Sequence, residues 1–210
     1  MAWLALVLLT GLFIALHALP FAPAGRARVV AALGEKPYLV AYAISSLVGL
    51  FGAFYAAAAV PPVVLWQAGA PLRWLALVLT LAAFVLLASA YVGTAGPRLA
   101  RHPMLAGVGL WALAHVLATG AVGHLLLFGA LALYAPAAMV ASDRRDAAHD
   151  PKTFERRRAT TSLVPFATLA RTGVAGLDMK GPVAGVVAWL AFLALHPWLF
   201  GVSALPFELG

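Results

Sequence analysis

Apolar residues run through this chain in six stretches, Ala2 to Leu19, Leu39 to Val60, Trp74 to Val92, Met104 to Thr119, Val122 to Ala141 and Val183 to Phe200, with polar residues gathered between them. Each stretch approaches the ~20 residues an α-helix needs to cross about 30 Å of hydrocarbon. Only a helix satisfies its own backbone inside lipid, so all six are expected to be helical in spite of their Val, Gly and Thr. The pattern predicts an all-α, six-helix transmembrane bundle forming one domain over residues 1–210. The first stretch lacks a basic leader and is followed by Arg26 and Arg28, which predicts a retained helix and not a cleaved signal. One connection is long: residues 142–182, between the fifth and sixth stretches. Its "TSLVPFATLA" is too apolar for a solvated loop and too short to cross, so an interfacial or re-entrant segment packed against helix ends is expected.

Composition supports the membrane reading. The chain is 64% hydrophobic and 10% charged, where soluble domains carry about 25% charged residues. The net charge of +7 is concentrated, with eight of the 14 Lys and Arg between Ser142 and Pro182, so nucleic acid is not an expected partner. Thirteen of the 14 lie in the first, third and fifth connections, and only Arg73 lies in the others. That asymmetry predicts a cytoplasmic face for the basic connections, both termini on the other side, and a bacterial-type inner membrane with the bilayer as partner. Trp3, Trp66, Trp74 and Trp198 then fall near the outer boundary as an aromatic belt. The chain has no cysteine, which excludes disulfides, thiolate-held zinc, iron–sulfur clusters and a thiolate haem ligand.

No Asp or Glu lies within the apolar stretches, so a carboxylate-driven ion pump has little support. Histidine behaves differently. His17, His115 and His196 lie within the stretches, His102 and His124 at predicted helix starts, and His149 in the basic connection. A lone intramembrane histidine reads as a neutral ring bonded to a neighbouring helix, but three of them turn the reading towards metal or haem ligation. Haem iron needs one or two imidazoles and accepts them neutral, whereas no zinc spacing such as HExxH is present. At helical spacing, residues 108, 111, 112, 115, 118 and 119 share a stripe, so Trp111, Ala112 and Ala118 border His115. Such small neighbours let a flat macrocycle approach, and they equally allow close helix packing. His102, followed by Pro103, reads as a helix-start residue at the surface. Arg101 and the run Arg156, Arg157, Arg158 have two readings: attraction to anionic lipid, or pairing with a cofactor's carboxylates or phosphates, including haem propionates. By depth along the helices, His17 pairs with His102 and His115 with His196.

The stretches "LARHPMLAGVGLWALAH", "SDRR", "RRRATTSLVPFA" and "LALHPWLFG", with the early "IALHAL", resemble the NnrU domain family of polytopic membrane proteins, which includes the ζ-carotene isomerases. The resemblance runs over nearly the whole chain. It implies haem b held by His17 and His115, with His102 and His196 as alternates, and a link to nitrite and nitric oxide metabolism. The isomerase branch carries a cysteine where this chain has Ala112, so a switch to a thiolate ligand is closed to it. Three functions follow as expectations: a haem-b protein handling electrons or a diatomic nitrogen oxide, a haem-dependent isomerase of an apolar polyene, and a non-catalytic transporter or assembly factor.

Overall fold

Residues 1–205 are described in the computed structural model of the chain. Ten α-helices follow one another among them: α1 (Ala2–Ala18), α2 (Pro23–Leu33), α3 (Glu35–Ala59), α4 (Ala70–Ser89), α5 (Gly96–Leu99), α6 (Pro103–Ala118), α7 (Val122–His149), α8 (Pro151–Thr160), α9 (Ala167–Thr172) and α10 (Lys180–Phe200). Each of the six apolar stretches is a helix. Four of them, α3, α4, α7 and α10, are long and apolar enough to cross a membrane; α1 and α6 are apolar but shorter, at 17 and 16 residues.

The helix ends follow local chemistry. His102 caps α6 and Pro103 supplies its first residue, a place where proline loses no hydrogen bond. Asp150 caps α8 by accepting the Thr153 N–H at 3.1 Å, again with a proline next. One expectation is corrected at α7. The apolar pattern ends at Ala141, yet the helix continues to His149, because "SDRRDAAH" contains neither glycine nor proline and its two aspartates pair with Arg101 and Arg157 outside the helix. Asp143 and Asp146 therefore stand on a helix and not in a loop.

Packing runs as a row of neighbours. α1 lies on α3, both touch α7, α7 lies on α6, α6 on α4, and α4 on α10. Small residues let the backbones close up, as is usual where lipid provides no hydrophobic drive between helices. A side chain at Gly107 would meet Leu87 Cγ at 2.7 Å and the Ala83 carbonyl at 3.0 Å, and one at Gly185 would meet the Phe84 carbonyl and Val85 Cα at 2.6 Å. The main buried cluster joins Leu6, Ala53, Ala56, Ala57, Val60, Ala112, Leu127 and Leu131 from α1, α3, α6, α7 and the residue after α3.

The segment "TSLVPFATLA" folds back over the junction of α5 and α6. The Arg101 N–H donates to the Ser162 carbonyl at 2.7 Å and the Phe166 N–H to the Leu99 carbonyl at 2.6 Å. Phe166, Leu169 and Leu177 then pack on Leu86, Leu99, Ala100 and Ala106. Phe166 adopts a left-handed backbone, φ 62°, to turn the chain into α9. This gives the bundle a basic end, built from α2, α8, α9 and residues 161–179, and an opposite end carrying the α3–α4 and α6–α7 connections.

Candidate functional site

The interior histidines share one local device. His17 and His115 each stand in the last turn of a helix and direct Nδ1 at the carbonyl four residues back, Phe13 and Trp111, at 2.8 Å in both cases. A carbonyl only accepts, so Nδ1 carries a proton, and in the neutral form of the ring Nε2 holds the lone pair. His196 does the same towards the Val202 carbonyl, at 2.7 Å. None of the three makes a hydrogen bond through Nε2 to a described residue.

Their surroundings differ. His17 is stacked on Phe13 at 4.0 Å, has the Tyr42 ring at 5.4 Å, and its carbonyl accepts the Tyr134 hydroxyl at 2.7 Å. His115 is stacked on Phe128 at 4.4 Å with the Trp111 ring at 4.8 Å, and His124 and His196 are within electrostatic range. Residues on α3 give the levels. Tyr42 lies beside His17, whereas Phe54 lies beside Trp111 and Phe128, and the two positions are about 18 Å apart along α3 at 1.5 Å per residue. The expected pair His17 and His115 is therefore not brought together, and the two do not fit one haem as joint axial ligands. Taken singly, each has the donor chemistry of an axial imidazole, with the far nitrogen fixed by a backbone carbonyl.

The small neighbours of His115 resolve in different directions. Ala112 is fully buried in the main cluster, where its size serves helix contact, and Ala118 is exposed. Trp111 is wedged against Phe54 and Phe128. Among the described residues, no group of three or more His, Asp and Glu side chains is arranged to hold a metal ion.

A second constellation, at the basic end, is centred on Asp143. Its carboxylate pairs with Arg101, accepts from His102 Nε2 at 2.8 Å and faces Arg157 at 3.7 Å. Arg157 also reaches Asp146 at 2.8 Å. Each nitrogen of Arg101 makes one bond, Nε to the Thr161 hydroxyl, one terminal nitrogen to Asp143 and the other to the Thr161 carbonyl. It braces the fold by tying the start of α6 to α7 and to the residue after α8. The three arginines of α8 are divided by the helix: Arg156 bonds the Thr153 hydroxyl, Arg157 the aspartates, and Arg158 lies 3.5 Å from Glu155. Asp143 thus joins the start of α6, the extension of α7, α8 and the 161–166 turn.

The pieces of sequence that meet at Asp143 are "RHP", "SDRR" and "RRRATTS", which are distant in the chain and adjacent in space. The family model described as NnrU protein matches residues 5–204. The chain belongs to the NnrU family. No curated protein and no solved structure matches it. Within this NnrU chain, sequence reasoning reached the histidines and missed Asp143, Tyr42 and Tyr134. A tyrosine in an apolar helix was the available signal for the last two; Asp143 gave none, since it stands at the end of the apolar pattern among charges that look solvated.

Proposed function

We propose that this NnrU-family chain is a haem-b-binding protein of the cytoplasmic membrane, with the basic end inside, and that it serves nitrite or nitric oxide metabolism. The carrying observation is the hydrogen bonding of the interior histidines. A histidine kept only to join helices would bond a neighbouring helix; His17 and His115 bond their own, which holds the ring and leaves Nε2 free. His115 is the preferred ligand because its ring is walled by Phe128 and Trp111 within the bundle. The iron would supply one-electron chemistry or a site for a diatomic ligand. With His17 at another level, His115 would hold the group without it, which would leave room at the iron for that small molecule. The six-span topology is supported by thirteen of 14 basic residues on one set of connections, and α1 and α6 cross about 24–26 Å at 1.5 Å per residue, within reach of a locally thinned bilayer.

The test is the optical spectrum of the full-length protein in detergent, oxidised and reduced, with and without nitric oxide. The expected result is a Soret band that shifts with nitric oxide, is lost or displaced in His115→Ala, and is kept in His17→Ala. Folded protein without a Soret band, or an unchanged spectrum in His115→Ala, overturns the assignment.

A further inference from the structure

From the pocket that opens beside the Asp143 hub, we infer that the basic end carries a binding site for a phosphate oxyanion, held by Arg158 and Arg171. The pocket has a volume of about 420 Å³ and is lined by residues of α8, α9 and the 161–164 turn, together with Arg101 and Asp143. Arg101 and Asp143 neutralise one another, and every nitrogen of Arg101 is occupied. Two guanidinium groups remain, brought to one cavity by two separate helices. The Arg171 side chain makes no hydrogen bond or ion pair with any described residue. Arg158 has only Glu155, at 3.5 Å, with both side chains more than 60% exposed and Glu155 outside the cavity wall. The lining therefore has two positive charges in excess.

The rest of the wall suits a phosphate. Ser162 accepts the Val164 N–H at 3.0 Å, so its hydroxyl proton is free to donate into the cavity. Phe154, Leu163 and Val164 form an apolar side, and Val164 is 64% exposed. Planar guanidinium groups bind phosphate oxygens in bidentate fashion, and two of them with a hydroxyl match a phosphate with two or more free oxygens. The same chemistry is offered by inorganic phosphate or a phosphorylated solute in water and by the headgroup of an anionic phospholipid, whose chains the exposed Val164 would meet. This inference stands apart from haem binding, since none of these residues touches the interior histidines.

The experiment uses the full chain in a maltoside detergent, free of phosphate. Thermal unfolding and equilibrium dialysis are measured with inorganic phosphate against chloride at equal ionic strength, and unfolding is repeated in bilayer discs of phosphatidylglycerol against phosphatidylcholine. The expected result is stabilisation in at least one arm. Loss of one charge-assisted guanidinium–phosphate pair in Arg158→Gln or Arg171→Gln weakens it about tenfold. Arg28→Gln, which removes the same charge from exposed α2, leaves it intact. A response to inorganic phosphate identifies an aqueous ligand, and a response to phosphatidylglycerol alone identifies the headgroup; both confirm the oxyanion site. No stabilisation in either arm, or equal weakening by Arg28→Gln, overturns it. The variants replace exposed side chains, and their unliganded unfolding temperature and helicity verify that they fold.

Discussion

Asp143 faces Arg101, His102 and Arg157 at once, and the Arg101 side chain is only 8% exposed. Removing one partner of such a pair strands a desolvated charge, at a cost of about 3–5 kcal/mol. Asp143→Asn is therefore expected to destabilise the protein by an amount in that range, measured by unfolding in detergent with increasing dodecyl sulfate. Replacing Arg101 by Met in the same chain should recover part of the loss. A single-variant effect below about 1 kcal/mol, the size of an exposed pair, would show that the hub is wet. The histidines were legible in the sequence because an ionisable ring in an apolar run has no ordinary neighbour. Their levels were not, since the relative height of two helices is set by packing. Gly49 sits against Phe13, Gly52 against Leu9, and Phe54 beside Trp111, and together these put Tyr42, and not Phe54, next to His17. Ala112 shows the same limit: a small residue beside a histidine reads alike whether it opens a slot or closes a helix contact, and here it is in the closed core.

The helices themselves were the most legible level, because length and hydrophobicity decide them in lipid. What escaped was the continuation of α7, whose last turns make ion pairs with residues distant in the chain, Arg101 before it and Arg157 after it. Close helix contacts were also hidden. Gly107→Val should force α6 from α4 and cost about 1–3 kcal/mol as an overpacked contact, read as a lower unfolding temperature with unchanged helicity. The start of α10 is fixed by Asp178, which accepts the Lys180 N–H at 3.0 Å and the Thr94 N–H at 2.9 Å. These backbone donors, Lys180 first and Thr94 next, hold its carboxyl below the ordinary carboxylate range. A depressed folded value means that the contribution is present above the unfolded value and is lost as pH falls through the folded one. From about pH 5 downward, the wild-type protein should lose unfolding temperature more steeply than Asp178→Asn, which starts lower and has no proton to gain at this site. Parallel profiles would show that Asp178 does not couple α10 to the Gly93–Thr94 turn.

The molecule has a charged end and an apolar body, and its one basic residue outside that pattern has its own partners. Arg73, at the start of α4, donates to the Ser203 and Leu205 carbonyls at 3.2 and 2.6 Å, so it holds the residues after α10 and takes no part in the basic end. The proposed orientation is open to a direct test because the chain has no cysteine. Single cysteines at Thr153 and at Ser203 should react with an impermeant maleimide from opposite sides of the membrane, Ser203→Cys in intact cells and Thr153→Cys only after lysis. Labelling of both in intact cells would refute an inward basic end. The row of helices also has a consequence for assembly on the ribosome. α10 rests mainly on α4, whereas everything that Asp143 joins is complete by Phe166, so the hub can close while the last helix is still being synthesised. A chain ended at Met179 should keep α8 resistant to protease in a manner that depends on Asp143, and α10 would then be a late addition to a bundle that has already locked its basic end.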